Sequence, residues 1–206
     1  MSMKLEVLVV PVSDVDRAKK FYEKLGFRLD IDATRDKDYR IIEFTPPGSQ
    51  ASIIFGKGIT SAQSGSIDRL VLGVSDIDAT RAEFLSQGVV VSEVFHDAGG
   101  GLGGGFYADP KARALGPDPE RRSYASYATF SDPDGNVWLL QEINKRQPGR
   151  VDAPAFASAS ELASALRRAE AAHGKHEAKL GKRDKNWPDW YADYMLREQA
   201  GEESAA

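Results

Sequence analysis

The chain has 206 residues, 41% of them hydrophobic and 28% charged, with no cysteine and a net charge of −4 spread along its length. This length allows one domain with an appendage or two small modules that share a core, and the composition is typical of a soluble globular protein. The sequence excludes disulfides and thiolate metal sites, and it has no basic stripe for nucleic acid, no apolar run for a membrane and no export signal. We therefore expect a cytoplasmic protein that binds a small molecule or another protein.

The first structural signal is a repeated phrase, VSDVDRAKKFYEKLGF from Val12 and VSDIDATRAEFLSQGV from Val74. Each copy follows an apolar, β-branched stretch that favours a strand and then breaks at Ser-Asp, where the aspartate is suited to cap a helix. Each copy also reaches glycine 12 residues after its aspartate (26 − 14 = 12 and 88 − 76 = 12). The spacing predicts two equivalent helices, with buried stripes of Val15, Ala18, Tyr22 and Leu25 and of Ile77, Thr80, Phe84 and Leu85.

Further strand candidates follow each helix. They are FRLDI, YRIIEF and ASIIF in the first half, and VVVSEVF, YASYATF and VWLLQEI in the second half. The last two strands are separated by SDPDGN, which is typical of a tight turn. Each half therefore has a β-α-β-β-β pattern, and we predict an α+β fold in which tandem modules form a curved mixed sheet around a cleft.

After these elements come helix formers. Ser158 and Glu161 fit a capping box, and an aromatic stripe follows at helical spacing, comprising Trp187, Trp190, Tyr191, Tyr194 and Met195. We expect this arm to dock on the parent domain or on a second subunit, with coverage of the cleft as the alternative. His173, His176 and Glu177 are expected to form a solvated helix surface rather than a metal site.

The tandem pattern, the VSD-(I/V)-D-x-(A/T) strand exit and DPDGN before a final apolar strand resemble the vicinal oxygen chelate superfamily. This superfamily includes glyoxalase, bleomycin-resistance proteins and extradiol dioxygenases. The resemblance implies a glyoxalase/bleomycin-resistance-like domain at 1–147, with modules at about 4–58 and 66–146, a linker at 148–157 and a helical arm at 158–206. It implies less about function, because the same scaffold supports lyases, isomerases, epimerases, dioxygenases and drug-sequestering binders.

The resemblance also locates the metal ligands of the metal-using members, on the first and last strand of each module. Counted from the caps and turns, these positions fall on Val7, Ile54, Arg69 and Leu139. None of these side chains is a normal ligand for a hard or borderline cation, which needs imidazole or carboxylate donors. We therefore expect no metal and no cofactor.

Strand alternation predicts that the same face carries an apolar lining with a few polar groups. The residues of this parity are Val7, Val9, Pro11, Ser52, Ile54, Arg69, Val71, Gly73, Val137, Leu139 and Gln141. Such a lining suits a largely hydrophobic ligand. Arg69 is interpreted either as a clamp for a carboxylate, phenolate or phosphate, or as part of an internal salt bridge to a carboxylate such as Glu43 or of an exposed strand start.

Two further features lie between the strands of the second half. His96 is a candidate general base or ligand at the cleft rim, with a hydrogen-bonded strand-end histidine as the alternative. The glycines of AGGGLGGGF match G-x-G-x-x-G, but no helix follows them, so a dinucleotide site is not expected. Residues 97–122 are predicted to form one long loop, either a lid whose Phe106 and Tyr107 close over a ligand or a self-packed insertion.

The leading hypothesis is a metal-independent binder of a small, largely apolar molecule that can carry an anionic group, acting as a homodimer. Its candidate ligand-binding residues are Val7, Val9, Ser52, Ile54, Arg69, Val71, His96, Tyr107, Leu139 and Gln141. One alternative is a lyase, isomerase or dioxygenase with a displaced metal near His96 and Glu142, or with metal-free acid–base chemistry by His96 and a tyrosine. Another is a structural or regulatory homodimer.

Overall fold

The computed structural model describes residues 4–107, 109–147, 156 and 158–199. It divides the chain into two compact units, residues 1–144 and 145–206. Apart from Phe156, the segment 148–157 expected to be a linker lies outside the described residues.

The order of elements in the first unit confirms the predicted α+β pattern of tandem modules. The first module consists of β1 (Val7–Val9), α1 (Val15–Lys24), β2 (Arg28–Asp36), β3 (Tyr39–Thr45) and β4 (Ser52–Lys57). The second consists of β5 (Leu70–Val74), α2 (Ile77–Ser86), β6 (Phe95–Asp97), β7 (Arg113–Leu115), β8 (Ser126–Ser131) and β9 (Val137–Glu142).

The strands are divided between two mixed sheets. Sheet 1 has the order β1-β4-β3-β2 and sheet 2 the order β5-β9-β8-β6-β7. The first strand of each module pairs in parallel with the last strand of the same module, and the other pairings are antiparallel. The repeat in the sequence is thus a repeat of topology, with β7 as an addition to the second module.

Both helices begin at the predicted caps. The carboxylate of Asp14 accepts a hydrogen bond from the backbone N–H of Arg17, and that of Asp76 accepts one from Ala79. Gly26 and Gly88 follow the helices with φ of +76° and +72°, a left-handed conformation that lets the chain leave the helix at little steric cost.

The buried stripe of α2 differs from the prediction at one residue. Ile77 and Phe84 are buried, but Leu85 is 42% exposed. Successive helix residues are about 100° apart, so the turn that directs Phe84 into the core directs Leu85 toward solvent.

The two modules share one hydrophobic core. It includes Ile53 and Phe55 from sheet 1 and Phe130, Trp138 and Leu140 from sheet 2. At its centre Tyr22 of α1 donates its hydroxyl proton to Asp132 Oδ2 (3.0 Å) and accepts a hydrogen bond from Trp138 Nε1 (3.3 Å). One face of each sheet is therefore covered by the other module.

The remaining faces, here called outer face 1 and outer face 2 after their sheets, point away from the shared core. Side chains alternate between the two faces along a strand. Outer face 1 therefore carries Ile54 and the side chains level with it, and outer face 2 carries Leu139 and the side chains level with it. The chain does not bring the two predicted linings together around one cleft, since the core lies between them.

The segment predicted as a single loop, residues 97–122, contains regular structure. Strand β7 lies within it, and short 3-10 turns occupy Gly104–Phe106 and Pro110–Ala112. The preceding strand is also shorter and later than VVVSEVF suggested, because β6 begins only at Phe95 and Val91 forms an isolated bridge to Phe130.

The second unit contains two helices, α3 (Ala159–Leu180) and α4 (Trp187–Gln199). The Ser158 side chain caps α3, as its sequence predicted, and Arg168 joins the two helices through a two-point ion pair to Glu198.

The expectation that His173 lies on a solvated surface is wrong. His173 is 5% exposed, and its ring centroid lies 4.9 Å from that of Trp190. No helix among the described residues is both long and apolar enough to span a membrane.

Candidate functional site

Outer face 1 has an apolar row across its strands. The register places Val9 beside Ile54, Ile54 beside Glu43, and Glu43 beside Ile31. Val9 and Ile31 remain 43% and 41% exposed. The face is therefore apolar and open, with a single carboxylate in its middle.

That carboxylate, Glu43, is a feature that sequence reasoning considered only as a partner for Arg69. Glu43 forms no ion pair or hydrogen bond with any residue in the described part of the chain, and its side chain is half-buried. The register of β3 and β4 places Glu43 beside Ile54, and knowledge of that register would have identified it.

The polar end of outer face 1 is a short hydrogen-bonded chain. Ser52 lies beside Val7, and its hydroxyl is 2.7 Å from that of Thr45, which in turn donates to Asp30. Arg28 Nε also donates to Asp30, at 2.6 Å. These two donors, first Arg28 and then Thr45, hold the pKa of Asp30 below its usual value.

Outer face 2 has an aromatic floor. Phe95, Tyr127 and Leu139 form a second buried cluster, in which the two rings stack with centroids 5.8 Å apart. Gln141 lies beside Tyr127 in the register and donates to the carbonyl of Tyr124 at 3.1 Å. Val71, on the neighbouring strand, is 41% exposed.

The floor is covered by residues 98–107, here called the glycine loop. A Cβ at Gly105 would overlap the Tyr127 ring, at 2.6 Å from its Cε1, and would lie 2.9 Å from Leu139 Cδ2, so glycine is required for this close approach. The Tyr127 hydroxyl shares its one proton between the carbonyls of Leu102 and Tyr124, and the Phe106 ring meets Tyr127 edge-on with centroids 6.4 Å apart. Leu139 is fully buried as a result.

Two arginines hold the far end of the glycine loop. Arg69 Nη1 donates to the carbonyl of Phe106 (3.0 Å), and Arg113 Nη2 donates to the carbonyl of Tyr107 (2.9 Å). The ion pair of Arg69 is with the adjacent Asp68 (3.3 Å) rather than with Glu43. The Arg69 backbone has φ of +68°, a left-handed conformation that is strained in a residue with a Cβ.

Arg113 was not identified from the sequence. Its guanidinium carbon lies 4.6 Å above the Phe95 ring, and its buried Nε has no hydrogen-bond partner in the described part of the chain. No carboxylate of the described residues lies within ion-pairing distance of it. The surrounding prolines made this segment look irregular, so nothing local indicated that β7 would bring Arg113 to the sheet.

The structure does not bring His96 to outer face 2. His96 lies beside Ser126 in the register, whereas its neighbour Phe95 lies beside Tyr127 on the floor. His96 Nδ1 is 2.8 Å from the carbonyl of Gly116, which makes that nitrogen the donor and Nε2 the acceptor of the neutral ring.

His96 borders a cavity of about 320 Å³, together with Asp97, Asp118, Glu120 and Arg122 and with Ala98 and Gly100 of the glycine loop. Asp118 is buried and accepts hydrogen bonds from the side chain and the backbone N–H of Arg122. The Arg122 guanidinium lowers the pKa of Asp118 to about 2, so this carboxylate is ionised at neutral pH.

The residues at the family's metal positions do not fit a metal. Val7, Ile54 and Leu139 offer no lone pair, and the guanidinium of Arg69 repels a cation. Glu142, a possible displaced ligand, receives hydrogen bonds from Arg121 (3.1 Å) and from the backbone N–H of Ile77 (3.3 Å). Residues 4–107, 109–147, 156 and 158–199 contain no group of three or more His, Asp or Glu side chains arranged to hold an ion.

Solved structures with this fold include two from Streptomyces sp. CB03234. The antibiotic-binding protein TnmS3 is 29% identical, with a TM-score of 0.50, over 69% of this chain and 97% of that protein. A glyoxalase/bleomycin resistance protein is 30% identical, with a TM-score of 0.48, over 68% of this chain and 100% of that protein. The uncharacterized protein YetH of Bacillus subtilis (strain 168) is 24% identical over 144 residues, 69% of this chain and 100% of YetH.

The sequence model of one superfamily matches residues 4–140, which cover the first module and all but the last two residues of the second. Its match and the tandem topology agree on the same part of the chain. The chain belongs to the Glyoxalase/Bleomycin resistance protein/Dioxygenase superfamily.

Proposed function

We propose that this protein is a metal-independent cytoplasmic binder of a small, largely apolar molecule that can carry an anionic group. The observation that carries the proposal is the chemistry of the outer faces. Apolar side chains and one arginine stand at the positions where metal-using relatives carry ligands, beside exposed Val9 and Val71. A binder needs only shape, apolar surface and a few donors, and all of these are available here. The similarity to an antibiotic-binding protein supports the same class of function.

The proposal includes a homodimer, because a single chain carries its two outer faces on different sides of the shared core. Outer faces 1 and 2 point away from the shared core, and in the proposed dimer outer face 1 of one copy meets outer face 2 of another to enclose a ligand. Both faces expose apolar side chains, and β1 and β5 are edge strands with one unpaired side each. A twofold dimer would form two such clefts.

Metal analysis and a fluorescent probe test the binder. We expect substoichiometric Fe, Mn, Ni and Zn in the purified protein, together with saturable binding of N-phenyl-1-naphthylamine, a neutral apolar probe. Val71→Asp should weaken probe binding, whereas Leu180→Asp, an equally polar change at an exposed leucine of α3, should not. Stoichiometric metal, or equal binding by both variants, would contradict the proposal.

A second function, acid–base catalysis, is favoured by one observation. The Gly116 carbonyl fixes His96 in the tautomer whose Nε2 is free to accept a proton, and His96 borders the 320 Å³ cavity. A reaction at this cavity would be lost on His96→Gln and unaffected by Val71→Asp. The two variants therefore separate catalysis at the cavity from binding at the outer faces.

A further inference from the structure

The structure contains an unexplained cation beside the proposed ligand site. Arg113 is held against the Phe95 ring with its Nε buried and unpartnered, and no carboxylate in the described part of the chain forms an ion pair with it, although Asp97 lies beside it in the register of β6 and β7. A buried polar atom without a partner is rare in folded proteins. The buried Nε is therefore a donor for which the described part of the chain provides no acceptor.

The glycine loop partly supplies a partner for Arg113. Two consecutive peptide carbonyls, those of Phe106 and Tyr107, accept one hydrogen bond each from Arg69 and Arg113. A carbonyl oxygen carries only a partial negative charge, so it is a weaker partner for a guanidinium than a carboxylate or a sulfonate. The Phe106 ring and Gly105 meanwhile occupy the space directly over Tyr127 and Leu139.

We propose that the glycine loop is an internal stand-in for the ligand and that the ligand is a planar aromatic anion. Its rings would replace Gly105 and Phe106 over the floor of Phe95 and Tyr127, and its anionic oxygens would replace the two carbonyls on Arg69 and Arg113. Binding then requires displacement of residues 98–107. This inference rests on the proposed binding function and adds the ligand's class and a self-blocking element of the site.

The loop is held mainly by side chains that donate to its carbonyls, Arg122 to Gly100, Tyr127 to Leu102, Arg69 to Phe106 and Arg113 to Tyr107, and these contacts can be released without breaking strand pairing. Glycine occupies six of its positions, Gly99 to Gly101 and Gly103 to Gly105. Of its backbone hydrogen bonds, those from Gly100 to Asp97 and from Phe106 to Gly103 are local, and the one from Ala98 to Ala112 holds only the start of the loop, each at 2.9 Å. An anion that offers full charge to both arginines binds the open arrangement of the loop more tightly than the closed one. This difference in affinity is the condition for a shift in population toward the open arrangement.

A pair of probes that differ by one charge tests the inference. The probes are 1-anilinonaphthalene-8-sulfonate, an aromatic anion, and N-phenyl-1-naphthylamine, which has the same rings without the sulfonate. Gly105→Ala places a methyl group against Tyr127 and Leu139 and should push the loop off the floor, raising the affinity of the sulfonate probe about fivefold or more. The control is Gly103→Ala, whose added Cβ meets only the flexible Tyr107 side chain at 3.3 Å.

The arginines are tested by the ratio of the two affinities, because this ratio cancels any effect of loosening the loop. Arg113→Gln and Arg69→Gln should each lower the preference for the sulfonate probe about tenfold. Arg197→Gln, the same charge change in α4, should leave the ratio unchanged. Hydrogen exchange of the peptide covering residues 98–107 should become faster when the sulfonate probe is added.

The outcomes separate the two proposals. If the neutral probe binds but the ratio is unaffected by either arginine, the anion class is overturned while the binder stands. If Gly105→Ala and Gly103→Ala behave alike, or exchange in residues 98–107 does not change with the probe, the stand-in role of the loop is overturned. If neither probe binds the wild type or Gly105→Ala, both this inference and the proposed binder are overturned.

Discussion

At the scale of single residues, Arg69 combines a functional side chain with a strained backbone. Its φ of +68° costs energy in any residue with a Cβ, and structures retain such strain where the position of the side chain matters. Arg69→Gly and Arg69→Ala both remove the guanidinium, but only glycine relieves the strain. We expect Arg69→Gly to be more stable than Arg69→Ala by about 1 kcal/mol in chemical denaturation. Equal stability would mean that the backbone relaxes without cost.

Asp118 makes a pH-dependent contribution to stability. Arg122 lowers its folded-state pKa to about 2 from 3.8, so its stabilising effect is fully present above pH 4 and is lost as pH falls through about 2. Asp118→Asn should therefore lower stability at pH 6 by about 1–3 kcal/mol, and the difference from wild type should shrink toward pH 2. Thermal unfolding of both proteins across this range measures the effect. A constant difference would assign it to packing instead.

Some residue positions can be predicted from the sequence alone and others cannot. Local spacing is enough to predict the helix caps at Asp14 and Asp76 and the strand face of Ile54, because a cap or an alternating strand is set by neighbours in the chain. The placement of His96 and Arg113 depends on which strands pair with β6, and that pairing joins residues distant in sequence. No local pattern distinguishes the two faces of a strand as short as β6.

At the scale of elements, α2 provides a direct comparison of two adjacent apolar residues. Phe84 packs edge-on against Phe130 with centroids 5.3 Å apart, whereas Leu85 is 42% exposed and lies outside the buried core cluster. Phe84→Ala should lower the free energy of unfolding by about 3–4 kcal/mol, since it leaves a cavity in the shared core. Leu85→Ala should change it by less than about 0.5 kcal/mol. Denaturant titration measures both, and similar losses would show that α2 packs differently.

The elements of the second module show why its insertion was misread. Glycines and prolines between 99 and 119 are typical of a loop, and they concealed the short strand β7 and two 3-10 turns. A three-residue strand such as β7 is held by its neighbour β6 more than by its own propensity. Loops that carry such strands can therefore be located from sequence, while their internal pairing cannot.

At the scale of the whole molecule, the tandem repeat predicted two equivalent modules but not which modules face each other. The same modules can pack through their helical faces or through their open faces, and the hydrophobic pattern of each strand is compatible with both. The shared core shows that the helical faces meet within one chain. The open faces are left for a second copy, which is why the proposed site requires a dimer.

Mixing two variants tests this arrangement without knowledge of the natural ligand. Ile54→Gln makes outer face 1 polar, and Val71→Gln makes outer face 2 polar. In the proposed dimer each cleft contains one copy of each face, so either variant alone loses both clefts. In an equal mixture about half of the dimers contain one of each variant, and one of their two clefts combines intact faces, so about a quarter of the wild-type sites should return. Refolding the variants together and titrating N-phenyl-1-naphthylamine measures this recovery. No recovery would place the cleft within one chain, and substantial binding by either variant alone would show that a single face is sufficient.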